Sequence, residues 1–155
     1  MGNYEVTGVL DKEDIKPPRE EHLRKGVAII ECPQSIPCNP CVDACPFGAI
    51  SMDDLNSPPS IDYDLCRGCG NCVSACPGLA IFVVKVDGKD GYVTLPYEML
   101  PIPRVHERVG VLDREGREVG EGEVIRIRKE RGTWVVTVKV DRSLIMEVRN
   151  ICPRR

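Results

Sequence analysis

The chain has no apolar run long enough to cross a bilayer, and no short apolar core follows the opening Met1-Gly2-Asn3-Tyr4-Glu5-Val6. Membrane insertion and secretion are therefore not expected. Histidine is scarce: His22 and His106 are the two present. They stand far apart, without the paired spacing of a histidine metal site, and are expected on the surface or in loops. Aromatic residues make up 5% of the sequence, with Trp134 the single tryptophan. The basic stretch Arg126, Arg128, Lys129 and Arg131 thus lacks the stacking platforms of a nucleic-acid surface and reads as a solvated strand face. Gly116, Gly120 and Gly122 match no phosphate-binding spacing, and no nucleophile with an adjacent base can be picked out. Catalysis by the chain alone is not expected. Net charge over the 155 residues is only -3, too little for a strong one-sign field.

Cysteine, by contrast, is abundant. The count of nine is odd, which argues against a disulfide framework and for a reducing, cytoplasmic compartment. Cys66 to Pro77 reads C-x2-C-x2-C-x3-C-P without a gap. This is an iron-sulfur signature: three thiolates at this spacing wrap one cluster, and the fourth, a helical turn on, reaches a different one. The second set lies upstream as Cys38, Cys41 and Cys45 followed by Pro46, with Cys32 before them. Zinc sites usually show two separated cysteine pairs, so zinc is not the expected metal. The two halves also repeat one another: Cys45-Pro46-Phe47-Gly48-Ala49-Ile50 answers Cys76-Pro77-Gly78-Leu79-Ala80-Ile81.

On these motifs the stretch 26–86 resembles a bacterial-type ferredoxin with two 4Fe-4S clusters. The resemblance implies a pseudo-twofold βαββαβ module. Short strand-like runs at 26–30, 49–52, 60–62 and 80–86 fall where that pattern needs them. Carried over residue by residue, the family scheme gives Cys66, Cys69, Cys72 and Cys45 to one cluster, and Cys38, Cys41 and Cys76 to the other. Its fourth ligand would stand at position 35, which is Ser35 here. Cys32 is the expected substitute; a three-iron cluster, a Ser35 ligand or recruitment of Cys152 are the alternatives. Cys152 otherwise reads as a packed thiol beside Ile151. Gly68 and Gly70 leave room for backbone N-H groups to face the sulfurs, whereas Pro40 removes one donor from the other loop. With Arg67 nearby, the Cys66 cluster is expected to have the higher potential.

Outside the module the chain is expected to be less regular at one end and all-strand at the other, giving an α+β protein. Residues 1–25 read as a polar arm, disordered or strapped against a partner. Residues 87–155 read as a small β-barrel-like docking domain, with strands near 91–95, 109–112, 123–128 and 133–140 and a final helix capped by Asp141, its Leu144, Val148 and Ile151 on one side. Charge is segregated. Between Gly26 and Val86 the basic residues are Arg67 and Lys85 alone, against Glu31, Asp43, Asp53, Asp54, Asp62 and Asp64, while the tail is slightly basic.

The run Glu31-Cys32-Pro33-Gln34-Ser35-Ile36-Pro37-Cys38-Asn39-Pro40-Cys41, with Gly91-Tyr92-Val93-Thr94-Leu95-Pro96, is similar to small iron-sulfur subunits of FAD-dependent dehydrogenase complexes of proline, hydroxyproline, opine or glycerol-phosphate oxidising type. That family carries cysteine at position 32. The resemblance implies flavin (FAD or FMN) on partner subunits, a hetero-oligomer with those dehydrogenases, and electron relay through two 4Fe-4S clusters. A ferredoxin acting alone, or a regulatory or binding protein with structural or oxidation-sensing clusters, are the competing readings. The added arm and tail favour the docked subunit, since a mobile carrier needs the module only.

Overall fold

The computed structural model describes residues 4–33 and 35–154. It is a small mixed structure, mostly sheet with few helices. Short helices α1 (Tyr4–Thr7) and α2 (Glu20–Lys25) precede strand β1 (Val27–Ile30). Then come α3 (Pro40–Ala44), β2 (Ile50–Ser51), β3 (Ser60–Ile61), α4 (Asn71–Ala75) and β4 (Ile81–Asp87). Five longer or closing strands follow: β5 (Asp90–Tyr97), β6 (Arg108–Leu112), β7 (Glu118–Glu130), β8 (Thr133–Asp141) and β9 (Asn150–Pro153). No helix among the described residues is long and apolar enough to cross a membrane.

One antiparallel sheet in the order β1-β4-β5-β8-β7-β6-β9 takes up every strand except the small β2-β3 pair. Val27 to Ile30 pair with Ile81 to Val84, joining the two ends of the cysteine-rich segment. The sheet then continues into the tail because β4 and β5 are joined by a tight turn in which Asp87 faces Asp90. The boundary between residues 86 and 87 therefore falls inside β4. In place of a barrel of its own, the tail extends the sheet that β1 and β4 begin, and the two share one core running from Ile15 through Val27, Val84 and Val138 to Ile151. β-branched side chains dominate that core because a pleated, half-buried surface selects them.

The end of the chain also departs from expectation. Asp141 does cap, accepting a hydrogen bond from the Ser143 N-H at 2.9 Å, but the helix it opens is a single 3-10 turn, Arg142–Leu144. The chain then straightens into β9, whose residues 150–153 pair with β6. An otherwise open β6 edge and the helix-stopping Pro153 override the helical spacing of Leu144, Val148 and Ile151. Cys152, expected on a packed helix face, is exposed on this strand.

The arm is not loose where it is described; its first three residues lie outside the described ones. Ile15 is buried, Leu10 and Leu23 pack on the core, and the Tyr63 hydroxyl donates to the Lys16 carbonyl at 2.7 Å. Lys12 pairs with Glu147 at 2.8 Å, Arg142 pairs with Glu20, and Arg19 reaches Asp64 at 3.3 Å. His22, expected at the surface, is 7% exposed. Its Nδ1 accepts from the Arg19 N-H at 3.0 Å, which leaves the proton on Nε2, 2.7 Å from the Asp64 carboxylate. A polar ring is buried here because both nitrogens are satisfied. The arm is a strap, and the surface it binds is its own chain's.

Candidate metal centre

The two cysteine loops have the same local design. Each ends in a five-residue helix that starts just before its last two cysteines: Cys41 lies on α3 with Cys45 at its C-terminal end, and Cys72 lies on α4 with Cys76 at its end. Pro40 opens α3, where a missing N-H costs nothing. Gly70 opens α4 in the left-handed conformation. After each Cys-Pro the chain turns so that the alanine four residues on donates its N-H back to the cysteine sulfur: Ala49 to Cys45 at 3.4 Å and Ala80 to Cys76 at 3.5 Å. The Ala28 N-H on β1 reaches the Cys66 sulfur at 3.3 Å. Sulfur donors were expected from the loop glycines; those described come from the alanines, with the Val42 N-H a further donor to the Cys41 sulfur. What Gly68 does is permit close approach to Gly26, the residue just before β1. At φ 66° it packs so close to Gly26 that a methyl group there would sit 2.8 Å from the Gly26 carbonyl oxygen.

The structure brings Cys45, Cys66, Cys69 and Cys72 onto the wall of one small pocket, closed by Ala28, Phe47 and Ile50. Burial pushes the Cys72 thiol up to about 12, and the next causes are its neighbours Cys66, Cys69 and Cys45. Of these four, Cys69 is exposed. Burial likewise raises the Cys41 thiol to about 11, with Cys76 the next cause and Cys32 a smaller one. Cys32 thus lies within electrostatic reach of Cys41. Cys38, half-buried, stands three residues before Cys41 at the entry to α3. Ser35 and Cys152 are exposed.

This donor set suits a multi-iron cluster better than a single ion. Zinc held by thiolates at about 2.3 Å brings tetrahedrally placed sulfurs within about 3.8 Å of one another. Among the described residues no trio of cysteine sulfurs comes within 4.8 Å; the compact group of potential ligand atoms is Glu21, His22 and Asp64. Thiols in apolar surroundings that raise one another's pKa values also call for a polycationic core before four of them ionise together.

Two further features escaped the sequence. The β7-β8 tip, expected to be a solvated face, clasps the second cysteine loop. Arg131 donates to the Asn71 carbonyl at 3.1 Å and the Ser74 hydroxyl at 2.7 Å, and Arg128 reaches the Cys69 carbonyl at 3.4 Å. The turn itself places Arg131 (φ 50°) and Gly132 (φ 81°) both in the left-handed region, as a two-residue hairpin of this twist requires. On the other side, Glu31 sits in a buried triad. Arg114 grips its carboxylate with two N-H groups at 2.7 and 2.9 Å, and Arg149 bonds it from the opposite side. Arg149, 7% exposed, also donates to the Ile145 and Val148 carbonyls and lies 5.0 Å from the centre of the Phe82 ring. The triad fixes the backbone immediately before Cys32.

Comparison with known proteins agrees with this geometry. Residues 32–80 match the family model of the 4Fe-4S dicluster domain. The chain is 35% identical over 79 residues to the polyferredoxin-like subunit of an aliphatic sulfonate oxidoreductase from Pyrococcus furiosus, covering 48% of this chain and 46% of that one. It is 37% identical over 71 residues to the beta subunit of a dissimilatory-type sulfite reductase from Archaeoglobus fulgidus, covering 46% and 17%. Pyruvate synthase subunit PorD of Methanocaldococcus jannaschii is 40% identical over 57 residues, covering 37% and 65%. The chain thus spans less than two thirds of each of these relatives, all of them subunits by name. No solved structure matches it. Residues 32–80 form a 4Fe-4S dicluster ferredoxin-type domain.

Proposed function

We propose that the chain is an electron-transfer subunit of an oxidoreductase complex, with Cys66, Cys69, Cys72 and Cys45 holding one 4Fe-4S cluster and Cys38, Cys41, Cys76 and Cys32 the other. The observation that carries this reading is the sorting of the thiols: four share one pocket, and Cys41 has Cys76 and Cys32 as neighbours. When bound, such clusters take up and release single electrons. The protein's part is to hold the ligands in two loops of fixed shape, to exclude water with the buried Ala28, Ile50 and Val73, and to offer the Ala28, Ala49 and Ala80 N-H groups to the sulfurs. Hydrogen bonds to sulfur favour the more negative, reduced cluster.

The finer reading, a flavin-bearing dehydrogenase as partner in the cytoplasm, rests on the sequence resemblance at 31–41 and 91–96. The relatives' names give sulfonate, sulfite and pyruvate enzymes. Anaerobic purification from the source cells, with iron, sulfide and flavin assayed in the peak, tests both levels. About eight irons and eight sulfides per chain, co-eluting with flavoprotein at fixed stoichiometry, is the expected result. Zinc without sulfide would overturn the cluster reading, and elution without partners would favour a carrier acting alone. Cys32→Ala should halve the iron content, whereas Ser35→Ala and Cys152→Ala should leave it unchanged.

A further inference from the structure

An open groove of about 450 Å³ adjoins the loop that walls the four-cysteine pocket. Arg67 and Gly68, the residues between Cys66 and Cys69, line both hollows, so the proposed cluster site and the groove share one stretch of chain. Lys25, Lys85 and Arg126 complete a ring of four exposed cations with Arg67, against Asp87 as the acidic lining residue. Lys25 also donates to the Asp64 carbonyl at 3.0 Å, and Arg67 lies 5.9 Å from the centre of the Phe47 ring.

Three observations mark the groove as selected rather than incidental. Arg67 and Lys85 are the sole basic residues of the acidic segment 26–86, and both face it. The local sign is opposite to the chain's net charge of -3. The register of β7 slips between Val124 and Arg126, so that Ile125 and Arg126 both line the groove where a regular strand would turn one of them away. A groove lined by one sign of charge over low-dielectric walls concentrates the field and accelerates encounter with the opposite sign.

We propose that this groove is where a protein partner presenting carboxylates docks to exchange electrons with the Cys66-Cys69-Cys72-Cys45 cluster. The proposal rests on reading that loop as a cluster site. The four cations are all exposed and come from four separate stretches of chain, which suits a protein surface spread across the groove; a small phosphate ligand would call for buried donors converging on one point.

The test uses the full chain, with iron, sulfide and EPR first establishing two clusters; their absence would overturn the cluster reading itself. The reduced protein is then oxidised by ferricyanide. Each ferricyanide takes one electron and becomes ferrocyanide, one reduced cluster returns to its oxidised state, and no proton or atom is transferred. Net charge alone would make the reaction of this anion faster as salt is added. The expected result is the reverse: oxidation fastest at low salt and slowing with ionic strength. Cationic hexaamminecobalt(III) should show the opposite trend. Lys85→Glu combined with Arg126→Glu should slow ferricyanide at low salt by about tenfold. An independent readout is binding of a synthetic hexaglutamate peptide, which should shift the amide resonances of residues 85 and 126 in the native chain and not in the double variant. Clusters present with ferricyanide accelerated by salt, an unaffected double variant, or ferricyanide effects without peptide binding would each overturn the docking proposal.

Discussion

A methyl group at position 68 has nowhere to go. In Gly68→Ala it would face the Gly26 carbonyl carbon and oxygen at 2.9 and 2.8 Å, and the left-handed backbone alone costs about 1–2 kcal/mol. We expect a lower thermal midpoint and iron lost from one cluster. Gly116→Ala, at φ 83° with open space around it, should keep its iron and show the backbone cost alone. A second residue-scale prediction concerns the buried triad. Arg149→Met removes a charge that Glu31 was buried against, and breaking such a pair costs about 3–5 kcal/mol by chemical denaturation. Arg154→Met, in an exposed pair with Glu118, should stay within about 0.5 kcal/mol. At this scale the two cysteine runs stand out in the sequence, because a cluster loop needs thiolates at that spacing. Glu31, His22 and Tyr63 do not: each owes its role to partners 42 residues or more away, or 47 for Tyr63, and a charged or polar residue in isolation reads as surface.

Among the elements, the strap makes a prediction about pH. The hydrogen bond that Lys12 donates to Glu147, followed by the Glu147 charge, raises the Lys12 pKa above the ordinary 10.5. A raised basic pKa contributes stability in full below the ordinary value, and that contribution disappears as pH climbs through the raised one. Lys12→Met should therefore lower the thermal midpoint slightly at pH 8, with the difference closing as pH rises past 10.5 and through the raised value; a gap unchanged at high pH would mean that it comes from the Lys12 stem and not from its charge. The strands were readable from β-branched runs and glycine turns, including the Arg131-Gly132 hairpin. The stretch 141–153 was not, since Leu144, Val148 and Ile151 satisfy a helical period and only the open edge of β6 decides for a strand. Nor could the hairpin's grip on the cysteine loop be read, because Arg131 finds Asn71 and Ser74 across 60 and 57 residues.

For the molecule as a whole, one sheet and one core mean that the cysteine-rich segment and the tail should unfold together. Trp134 sits on β8, in the tail half of the sheet, and reports there. Its fluorescence and the visible absorbance of the clusters should change over the same denaturant range, as a two-state unit requires. A tail transition that survives loss of the clusters would show two independent units. The merger of the cysteine-rich segment and the tail into one sheet was not legible, because it depends on the β4-β5 turn and on long-range pairing that local patterns do not encode. The Arg114-Glu31-Arg149 triad carries a consequence for biosynthesis. The residue that steadies the approach to Cys32 finds its two partners 83 and 118 positions further along the chain. A nascent chain therefore presents all eight proposed ligand cysteines before Arg114 and Arg149 have been made, and the approach to Cys32 is steadied only once residue 149 has been translated.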